Sequence, residues 1–166
     1  MSSPMSASEA RRFRRVMGKF ATGVTVVTYT HEGQPTGMTA NAFMSLAMDP
    51  PMVLISVRRQ SRFTSSVQPG MPFGIAFLRE QHESVSQHFG GRPNAALEEV
   101  LIDDGGVPVL RDPLVQLKVR ANAVHEGGDH LIYTADVEHI IDPARDPVVA
   151  LPVPAAAISR EVQALE

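Results

Sequence analysis

Short apolar and β-branched runs, separated by Gly and Pro, fill the middle of the chain and predict a succession of strands. These runs cover residues 24–30, 36–40, 52–57 and 72–78. The Gly- and Pro-containing segment 31–35 joins the first two runs and predicts a hairpin. The run 52–57 follows the Pro50-Pro51 pair and is continuously apolar, as in a strand that is buried on both faces.

The clearest alternation lies further along, in residues 114–124. Its apolar set is Val115, Leu117, Val119, Ala121 and Ala123, and its polar set is Gln116, Lys118, Arg120 and Asn122. A period of two with one apolar side predicts a half-buried antiparallel strand. The sequence Glu-Gly-Gly-Asp then predicts a turn at 126–129, after which a strand over His130–Ile141 returns. The same period places His130, Ile132, Thr134 and Asp136 on one side and Leu131, Tyr133, Ala135 and Val137 on the other.

Capping signals and a period near four predict three helices. Ser6 and Glu9 have the spacing of a capping box, and the residues that then recur on one face are Ala10, Phe13, Met17 and Phe20. Ser61 is placed to cap a short helix over 62–68, which Pro69-Gly70 ends. A third helix over 81–89 ends at Gly90-Gly91.

The first helix also carries a cluster of basic residues, which are Arg11, Arg12, Arg14, Arg15 and Lys19. Such a run either binds phosphate or forms a solvated helical face, and we adopt the second interpretation because it is the commoner. Residues 1–5 are expected to form a frayed tail, and residues 92–106 a loop with one helical turn at most. Near the C-terminus Pro143, Pro147, Pro152 and Pro154 allow only edge strand or extended coil.

Tight turns link most of the predicted strands, and few helices lie between them. This arrangement favours an antiparallel barrel or sandwich over a doubly wound parallel sheet. A length of 166 residues is that of a single domain. The sequence therefore predicts one mainly β domain over residues 1–166 with a few flanking helices.

Composition narrows the possible functions. The formal net charge of -3 provides no basic excess of the kind that nucleic acid or an anionic membrane attracts. The absence of cysteine excludes disulfides, thiolate catalysis and Cys-ligated metals. No window approaches the roughly 18 apolar residues of a membrane span, and a basic run stands where a signal peptide has its apolar core. We therefore expect a soluble cytoplasmic protein.

Known metal and nucleotide motifs do not occur. The six histidines show no HExxH or other ligand spacing, so we expect no metal site. Neither a G-x-G-x-x-G nor a Walker sequence is present, so any nucleotide is held without a Rossmann or P-loop device.

Neutral polar groups stand at two positions that suit the edge of a flat polar ring. Thr39 and Asn41 offer donors and acceptors at the end of a predicted strand, although the same residue types also end strands and begin turns.

His130 follows a Gly-Gly-Asp turn, where histidine is usually a polar turn residue. As a functional group it can donate a hydrogen bond to an amide or carbonyl, or supply a proton near neutral pH.

Hydroxyl and basic residues meet a little further along, where a phosphate tail would fit. Ser61 precedes a short predicted helix, and Arg58, Arg59 and Arg62 surround it. A hydroxyl, free amide hydrogens and positive charge together suit a phosphate. An ordinary N-cap with surface arginines explains the same pattern, and the residues alone leave both interpretations open.

Four segments, in this order, resemble the flavin reductase-like family. They are FRRVMGKFATGVTVVT, GMTANAFMSLAMDPPMVLISV, SRF and GDHLIYTADV, and they extend from Phe13 to Val137. The family comprises short-chain NAD(P)H:flavin oxidoreductases that serve as small partners of two-component flavin monooxygenases. The resemblance implies an FMN-binding split β-barrel, a homodimer, FMN or FAD bound near the subunit boundary, and NADH or NADPH as hydride donor.

The resemblance also implies roles for particular residues. It places the flavin ring against Met38, Thr39, Ala40 and Asn41, and the ribityl-phosphate near Ser56, Val57, Ser61 and Phe63. Phe89-Gly90 resembles the pair that closes over the cofactor, and His130 the histidine on the nicotinamide side. The chain departs from the family at Ala135-Asp136, where Gly-Glu is usual, and at residues 146–157, from which no role is carried over.

The function that follows is an enzyme that transfers hydride from NAD(P)H to flavin and releases reduced flavin to a partner monooxygenase. Hydride transfer is the cofactors' own chemistry, so the protein needs to stack two rings and exclude water rather than supply a strong acid or base. Two alternatives stay open: a flavin-binding module without activity, and an enzyme that resembles pyridoxamine-phosphate oxidase on the same barrel.

Overall fold

The computed structural model describes residues 5–97 and 99–143, and the predictions for residues 1–4 and for the proline-rich segment after Pro143 lie outside these. The strands of the described part are β1 Thr25–His31, β2 Gln34–Ala40, β3 Phe43–Met48, β4 Pro51–Arg58, β5 Pro72–Phe77, β6 Leu101–Asp104, β7 Val107–Leu110, β8 Val115–Gly127 and β9 His130–Ile141. Its helices are α1 Ala7–Met17, α2 Arg62–Ser66 and α3 Glu83–Phe89, with single 3-10 turns at Glu80–His82 and Ala95–Leu97. The domain is mainly β with few helices, as predicted.

Seven of the strands form one antiparallel sheet in the order β2-β1-β5-β8-β9-β4-β3, and β6 pairs with β7 separately. The two outer strands β2 and β3 are joined by Asn41 and Ala42 alone. A link of this length spans about 11 Å at most. In a flat seven-stranded sheet the outer strands would lie about 29 Å apart. The sheet is therefore rolled, so that its two edges approach each other beside this link.

Two hairpins differ from the predictions. Strand β3 was not predicted, and it pairs with β4 across the two-residue turn Asp49-Pro50, with a register shift between Ser45 and Ala47. The segment predicted as loop does contain one helical turn, but it continues into the β6–β7 hairpin. Gly105 and Gly106 make the turn of that hairpin with φ of 66° and 85°.

Strand β4 is buried on one face rather than on both. Val53, Ile55 and Val57 are buried, whereas Met52 and Ser56 on the opposite face are only half-buried. The continuous apolar run was therefore misleading, because a half-covered strand face also accepts apolar residues.

Four aromatic rings form the centre of the core on the inner face of the sheet. The ring of Phe63, at the start of α2, lies 5.2 Å from that of Tyr29, 5.2 Å from that of Phe73 and 5.0 Å from that of Tyr133. All three contacts are edge-to-face, the arrangement that aromatic quadrupoles prefer. The Tyr133 hydroxyl donates to the Val67 carbonyl at 3.2 Å, which attaches the end of α2 to β9.

The β6–β7 hairpin covers the outer face of the sheet and buries a residue predicted to face solvent. Gln116 is 1% exposed, because its Oε1 accepts from the Leu110 amide at 3.0 Å and its Nε2 donates to the Leu117 carbonyl at 3.0 Å. The Thr28 hydroxyl donates to the Pro108 carbonyl beside it. At Gly74 an added Cβ would lie 2.2 Å from the Thr28 hydroxyl, so glycine allows this close approach.

Helix α1 forms as predicted, but it ends at Met17, so the predicted face loses Phe20. The capping box is present, since Ser6 Oγ accepts from the Glu9 amide and the Glu9 carboxylate accepts from the Ser6 amide at 2.8 Å. None of its residues is buried, Phe13 is 57% exposed, and Phe20, three residues beyond the end of the helix, is 71% exposed. Among the described residues, no helix has the length and apolar character needed to cross a membrane.

Candidate functional site

A cleft of about 270 Å³ opens where the rolled edges of the sheet meet α3 and the start of α2. Its lining residues are Met38, Thr39, Ala40, Asn41, Ala42, Ser56, Val57, Arg58, Ser61, Phe89, Gly90 and His130. They come from the end of β2, the link to β3, the end of β4, the C-terminus of α3 and the first residue of β9. Every residue predicted for the site lies here except Phe63.

The end of β2 and the link to β3 form one side of the cleft, and hydrogen bonds hold this backbone in place. The Thr39 hydroxyl donates to the Ser86 carbonyl at 2.6 Å, and the Thr25 hydroxyl donates to the Ala40 carbonyl at 2.7 Å. Thr39 therefore attaches α3 to β2 and does not offer its hydroxyl proton to a ligand. The side-chain amide of Asn41 has no protein partner within the described residues. It is a neutral polar side chain that is available to a ligand here.

Phe89 provides the aromatic wall of the cleft, and Gly37 makes room for it. A Cβ added at Gly37 would lie 3.0 Å from Phe89 Cδ1 and 3.0 Å from Val26 Cγ1. The ring therefore packs directly on the backbone of β2. Helix α3 ends at Gly90, whose amide donates to the Ser86 carbonyl at 2.9 Å, and this fixes the ring at the cleft margin.

The predicted cluster of arginines does not converge on the cleft. Arg59 forms an ion pair with Glu126. Arg62 does not line the cleft and lies near Tyr29. Burial raises the pKa of Tyr29, and the charge of Arg62 partly opposes this rise. Arg58 lines the cleft, and within the described residues no hydrogen bond or ion pair engages its guanidinium. Ser61 is also at the cleft, but its Oγ accepts from the Thr64 amide at 3.3 Å as an N-cap. Positive charge for an anionic ligand therefore depends on Arg58.

His130 stands opposite Arg58 in the register of β9 and β4. Its Nδ1 lies 2.8 Å from Asp129 Oδ1. This hydrogen bond, with a smaller contribution from the charge of Arg58, lowers the pKa of Asp129. An ionised Asp129 favours the tautomer of His130 that carries a proton on Nδ1, and this orients the ring. Within the described residues Nε2 has no protein partner, so it is available to a ligand in the cleft.

At three positions the cleft in the structure differs from the site predicted from the sequence. Phe63 is 0% exposed in the aromatic core, so it supports the start of α2 from beneath. Ala42 lines the cleft and was not predicted, since nothing in its residue type signals a site. Arg58 was noticed for its charge, and its position directly after the predicted strand 52–57, as the last residue of β4, is the signal that separates it from Arg59 and Arg62.

Metal ligands do not gather in the described part of the chain, where no three His, Asp or Glu residues come together. The cleft instead combines an aromatic wall, a free amide, a histidine held by a carboxylate, and one arginine. These groups suit a planar heterocycle with an anionic tail. Fold and cleft together define a mainly β domain with a cleft at the junction of its two outer strands.

The family follows from comparison with known proteins. Residues 17–152 match the flavin reductase like domain, and the chain belongs to this family. The chain is 37% identical over 128 residues to the reductase component of 4-hydroxyphenylacetate 3-monooxygenase from Thermus thermophilus, a match that covers 77% of this chain and 82% of the relative. It is 36% identical to an NADH-dependent flavin reductase from Rhodococcus sp, over 76% of this chain and 74% of the relative.

Solved structures have the same fold. The homologue of nitrilotriacetate monooxygenase component B from Mycobacterium thermoresistibile superposes with a TM-score of 0.77 at 33% identity, over 85% of this chain and 80% of that chain. An NADH:FAD oxidoreductase from Streptomyces globisporus, in complex with NAD and FAD fragments, superposes with a TM-score of 0.72 at 31% identity. That match covers 87% of this chain and 90% of that chain.

Proposed function

We propose that this protein is an NADH-dependent flavin reductase, which transfers hydride from NADH to FMN or FAD and delivers the reduced flavin to a monooxygenase component. The observation that carries the proposal is the cleft, where Phe89, Asn41, Arg58 and His130 surround one volume. Relatives at 36–38% identity are named as NADH-dependent flavin or FMN reductases or as the reductase component of a monooxygenase, which supports the same activity here.

The residues of the cleft fit a flavin. Its volume of about 270 Å³ lies just below the range of about 300–1,000 Å³ that is typical of ligand pockets. The Phe89 ring packs on the backbone at Gly37, in space that the side chain of any larger residue at position 37 would occupy. The free amide of Asn41 and the backbone of residues 38–42 would hold the polar edge of the ring, and Arg58 with Ser61 would hold the phosphate.

Reduced nicotinamide supplies the hydride and the flavin ring accepts it, so the protein contributes geometry more than acid–base catalysis. Asn41 orients a ring by donating to or accepting from its polar edge. Arg58 binds an anionic tail with charge-assisted hydrogen bonds. Phe89 covers the cleft and excludes water from one side. Each of these groups acts on binding and orientation.

His130 has a binding and orienting role in this proposal. Asp129 keeps the Nδ1 proton in place, so Nε2 is left as an acceptor, and after protonation it becomes a donor. In the protonated form it can donate to a carbonyl or amide oxygen in the cleft and can return a proton there. Hydride transfer itself does not require this group, and we expect His130→Asn to weaken binding and orientation rather than abolish turnover.

A split barrel and a homodimer belong to the same proposal. The two-residue link between the outer strands β2 and β3 requires a rolled sheet, and a split barrel is the closed form of such a sheet. The exposed apolar residues of α1 and of β3, among them Phe13, Met17 and Met48, form a surface of the kind that oligomers bury. The expected cytoplasmic location also stays a prediction, which cell fractionation tests.

Anaerobic titration with NADH or NADPH against FMN and FAD tests the proposal. We expect NADH to bleach the flavin absorbance at a rate that depends on the protein, and the flavin to bind reversibly. A tightly held flavin that neither dinucleotide bleaches would instead identify a binding module. Oxidation of pyridoxine phosphate would identify an oxidase, although with Arg58 as the cleft's one arginine the site has few groups for a second phosphate.

A further inference from the structure

The hairpin tip between β8 and β9, formed by residues 126–129, is attached to the end of β4 through a single residue. Arg59 donates from Nη1 to Glu126 Oε1 at 3.1 Å, and its Nη2 pairs with Glu126 Oε2 and donates to the Gly128 carbonyl at 3.1 Å. The Arg59 backbone amide donates to the Asp129 carbonyl at 3.0 Å. One residue therefore bonds to three residues of the tip.

The tip orients the side chain of His130. Asp129 belongs to it and accepts the His130 Nδ1 hydrogen bond at 2.8 Å, and His130 follows directly as the first residue of β9. On the other side, the Arg59 carbonyl accepts from the Thr64 hydroxyl at 2.8 Å, which attaches the same residue to α2. Arg59 thus connects the part of the cleft that carries Ser61 with the part that carries His130.

Arg59 does not line the cleft, and both terminal nitrogens of its guanidinium, Nη1 and Nη2, bond to the tip. Its hydrogen bonds to Glu126 raise the pKa of Arg59 and lower that of Glu126, so both groups stay charged. The two side chains are 43% and 76% exposed, and an ion pair so exposed contributes little to folding stability. Its effect is therefore on local geometry.

We propose that Arg59 is a positioning residue for His130, acting through the hairpin tip and Asp129. This inference rests on the proposed function, because His130 matters there as a group that orients the reactants. Without the guanidinium the tip keeps the backbone bond from Arg59 to Asp129 and the pairing of β8 with β9, and it loses its side-chain attachments. A misplacement of His130 by a fraction of an ångström lowers the rate with which correctly oriented reactants form.

The chain contains a matched control. Arg120 also makes two hydrogen bonds to one carboxylate, from Nε to Glu138 Oε1 at 2.6 Å and from Nη2 to Oε2 at 3.1 Å, and its Nη1 donates to the Gly70 carbonyl at 2.8 Å. Its side chain is 44% exposed, nearly the same as that of Arg59. It lies six residues before Glu126 on β8, about 20 Å along the strand. It therefore has the same chemistry at a site remote from the cleft.

The experiment measures kcat and KM for NADH with saturating FMN in Arg59→Gln, Arg120→Gln, His130→Asn and the double variant Arg59→Gln/His130→Asn. We expect Arg59→Gln to lower kcat/KM by roughly tenfold or more, and Arg120→Gln to change it by less than about twofold. In the His130→Asn background the Arg59→Gln change should shrink to within about twofold, because the two residues act as one unit. Both arginine variants should lower Tm by similar amounts, less than about 4 °C.

Two results would overturn the inference: equal kinetic losses in the two arginine variants, or effects of Arg59→Gln and His130→Asn that multiply in the double variant. If Arg59→Gln fails to fold, Glu126→Gln breaks the same attachment from the opposite side and carries the test. Nitrogen-15 NMR signals of the His130 ring give a readout that needs no turnover. They should shift in Arg59→Gln and not in Arg120→Gln, even if wild-type protein oxidises no NADH and the proposed function fails.

Discussion

The position of the Phe89 ring, which forms the aromatic wall of the cleft, depends on the absence of a side chain at Gly37. A Cβ there would meet Phe89 and the fully buried Val26 at 3.0 Å each. Val26 has no room to move, so the half-exposed Phe89 ring yields and shifts into the cleft. We expect Gly37→Ala to destabilise the fold by about 1 kcal/mol, as mild overpacking does, and to weaken FMN binding roughly threefold to tenfold, as measured by fluorescence titration.

Gly23→Ala is the control for this change, since its Cβ would meet no atom within 4 Å. It should leave the FMN dissociation constant unchanged. Equal affinity in Gly37→Ala and wild type would show that the Phe89 ring does not contact the bound flavin.

Arg58 should distinguish flavins by their phosphate. Its guanidinium faces the cleft without a hydrogen bond or ion pair to any described residue, and a charge-assisted bond to phosphate contributes about 1.5–3 kcal/mol when it is well shielded. Arg58 is exposed, so we expect a smaller effect: Arg58→Gln weakens FMN binding about threefold to tenfold. Riboflavin, which lacks the phosphate, should bind both forms equally.

Arg62→Gln provides the comparison, because Arg62 is also exposed but lies outside the cleft. If it reduced FMN affinity as much as Arg58→Gln does, the phosphate would lie at the predicted arginine cluster after all. A loss of affinity in Arg58→Gln that is equal for FMN and riboflavin would contradict an anionic role for Arg58.

At the scale of residues, the sequence predicted most of the cleft lining but not the role of each group. Thr39 lines the cleft as expected, yet its hydroxyl is used to attach α3 through the Ser86 carbonyl. Phe63 follows Ser61 by two positions and points into the core instead. Sequence proximity places a residue near a site, but the direction of its side chain follows from the helix or strand that carries it.

At the scale of elements, the β6–β7 hairpin is attached to the sheet by a small number of buried polar contacts. Thr28 is 0% exposed, and its hydroxyl donates to the Pro108 carbonyl. Thr28→Val keeps the shape and leaves that buried carbonyl without its donor, so we expect a loss of about 1–3 kcal/mol in the free energy of unfolding. Urea denaturation measures it as a lower midpoint with an unchanged slope.

Thr30→Val is the matched control, two residues along the same strand at an exposed position. It should change stability by less than about 0.5 kcal/mol. If the two substitutions cost the same, the contact between Thr28 and Pro108 contributes nothing to attaching the hairpin.

The start of α3 depends on a neutral histidine. The Arg79 amide donates to His82 Nδ1 at 3.2 Å, which requires that nitrogen to be unprotonated. Burial lowers the pKa of His82, the charge of Asp112 opposes this, and Arg79 adds to it. The unfolded chain therefore binds a proton at His82 more readily than the folded chain does. The contribution of neutral His82 to folding stability is complete above the ordinary histidine pKa of about 6.5, and it is lost as the pH falls through the lowered pKa of the folded state.

His82→Asn should remove this pH dependence, because the Asn oxygen still accepts from the Arg79 amide and does not titrate. We expect the variant and wild type to have similar unfolding free energies above neutral pH, and wild type to lose more as the solution is acidified. Asp112→Asn should extend the loss to lower pH, since it removes the charge that favours protonated His82. Parallel stability curves for wild type and His82→Asn would contradict the assignment.

The elements that the sequence missed share a physical cause. Strands β6 and β7 have four residues each, too few for a period to emerge, and they are stabilised by packing on the sheet. Strand β3 contains no β-branched residue and pairs with β4 because the turn at Asp49-Pro50 brings it back. In contrast, β9 has the predicted bounds, because twelve alternating residues follow a clear turn signal.

At the scale of the whole molecule, the rolled sheet could not be predicted from patterns alone. Periodicity identifies the face of each strand but not its neighbours, and the order β2-β1-β5-β8-β9-β4-β3 includes pairs that are far apart in sequence. The link of Asn41 and Ala42 between the two outer strands then brings β2 and β3 together. The cleft lies at that junction, so the position of the site is a consequence of strand order.

The uncovered apolar face of α1 leads to the last prediction, which concerns assembly. Phe13 and Met17 lie on one side of the helix, and Phe20 follows three residues after its end. All three are more than half exposed, a condition that water disfavours by about 25 cal/mol for each Å² of apolar surface. No described element covers this face, and a second copy of the chain is the partner that the proposed homodimer provides. We expect wild-type protein to have twice the mass of one chain in light scattering after gel filtration.

Phe13→Gln/Met17→Gln should then shift the protein to the mass of one chain, because the interface loses two apolar side chains near its centre. Arg11→Gln/Arg15→Gln alters the opposite face of the same helix to a similar extent in helix propensity, and it should leave the dimer intact. This control shows whether the apolar substitutions act by removing contacts at the interface or by destabilising helix α1. A dimer that survives the apolar substitutions would mean that β3, with its exposed Met44 and Met48, forms the interface instead of α1.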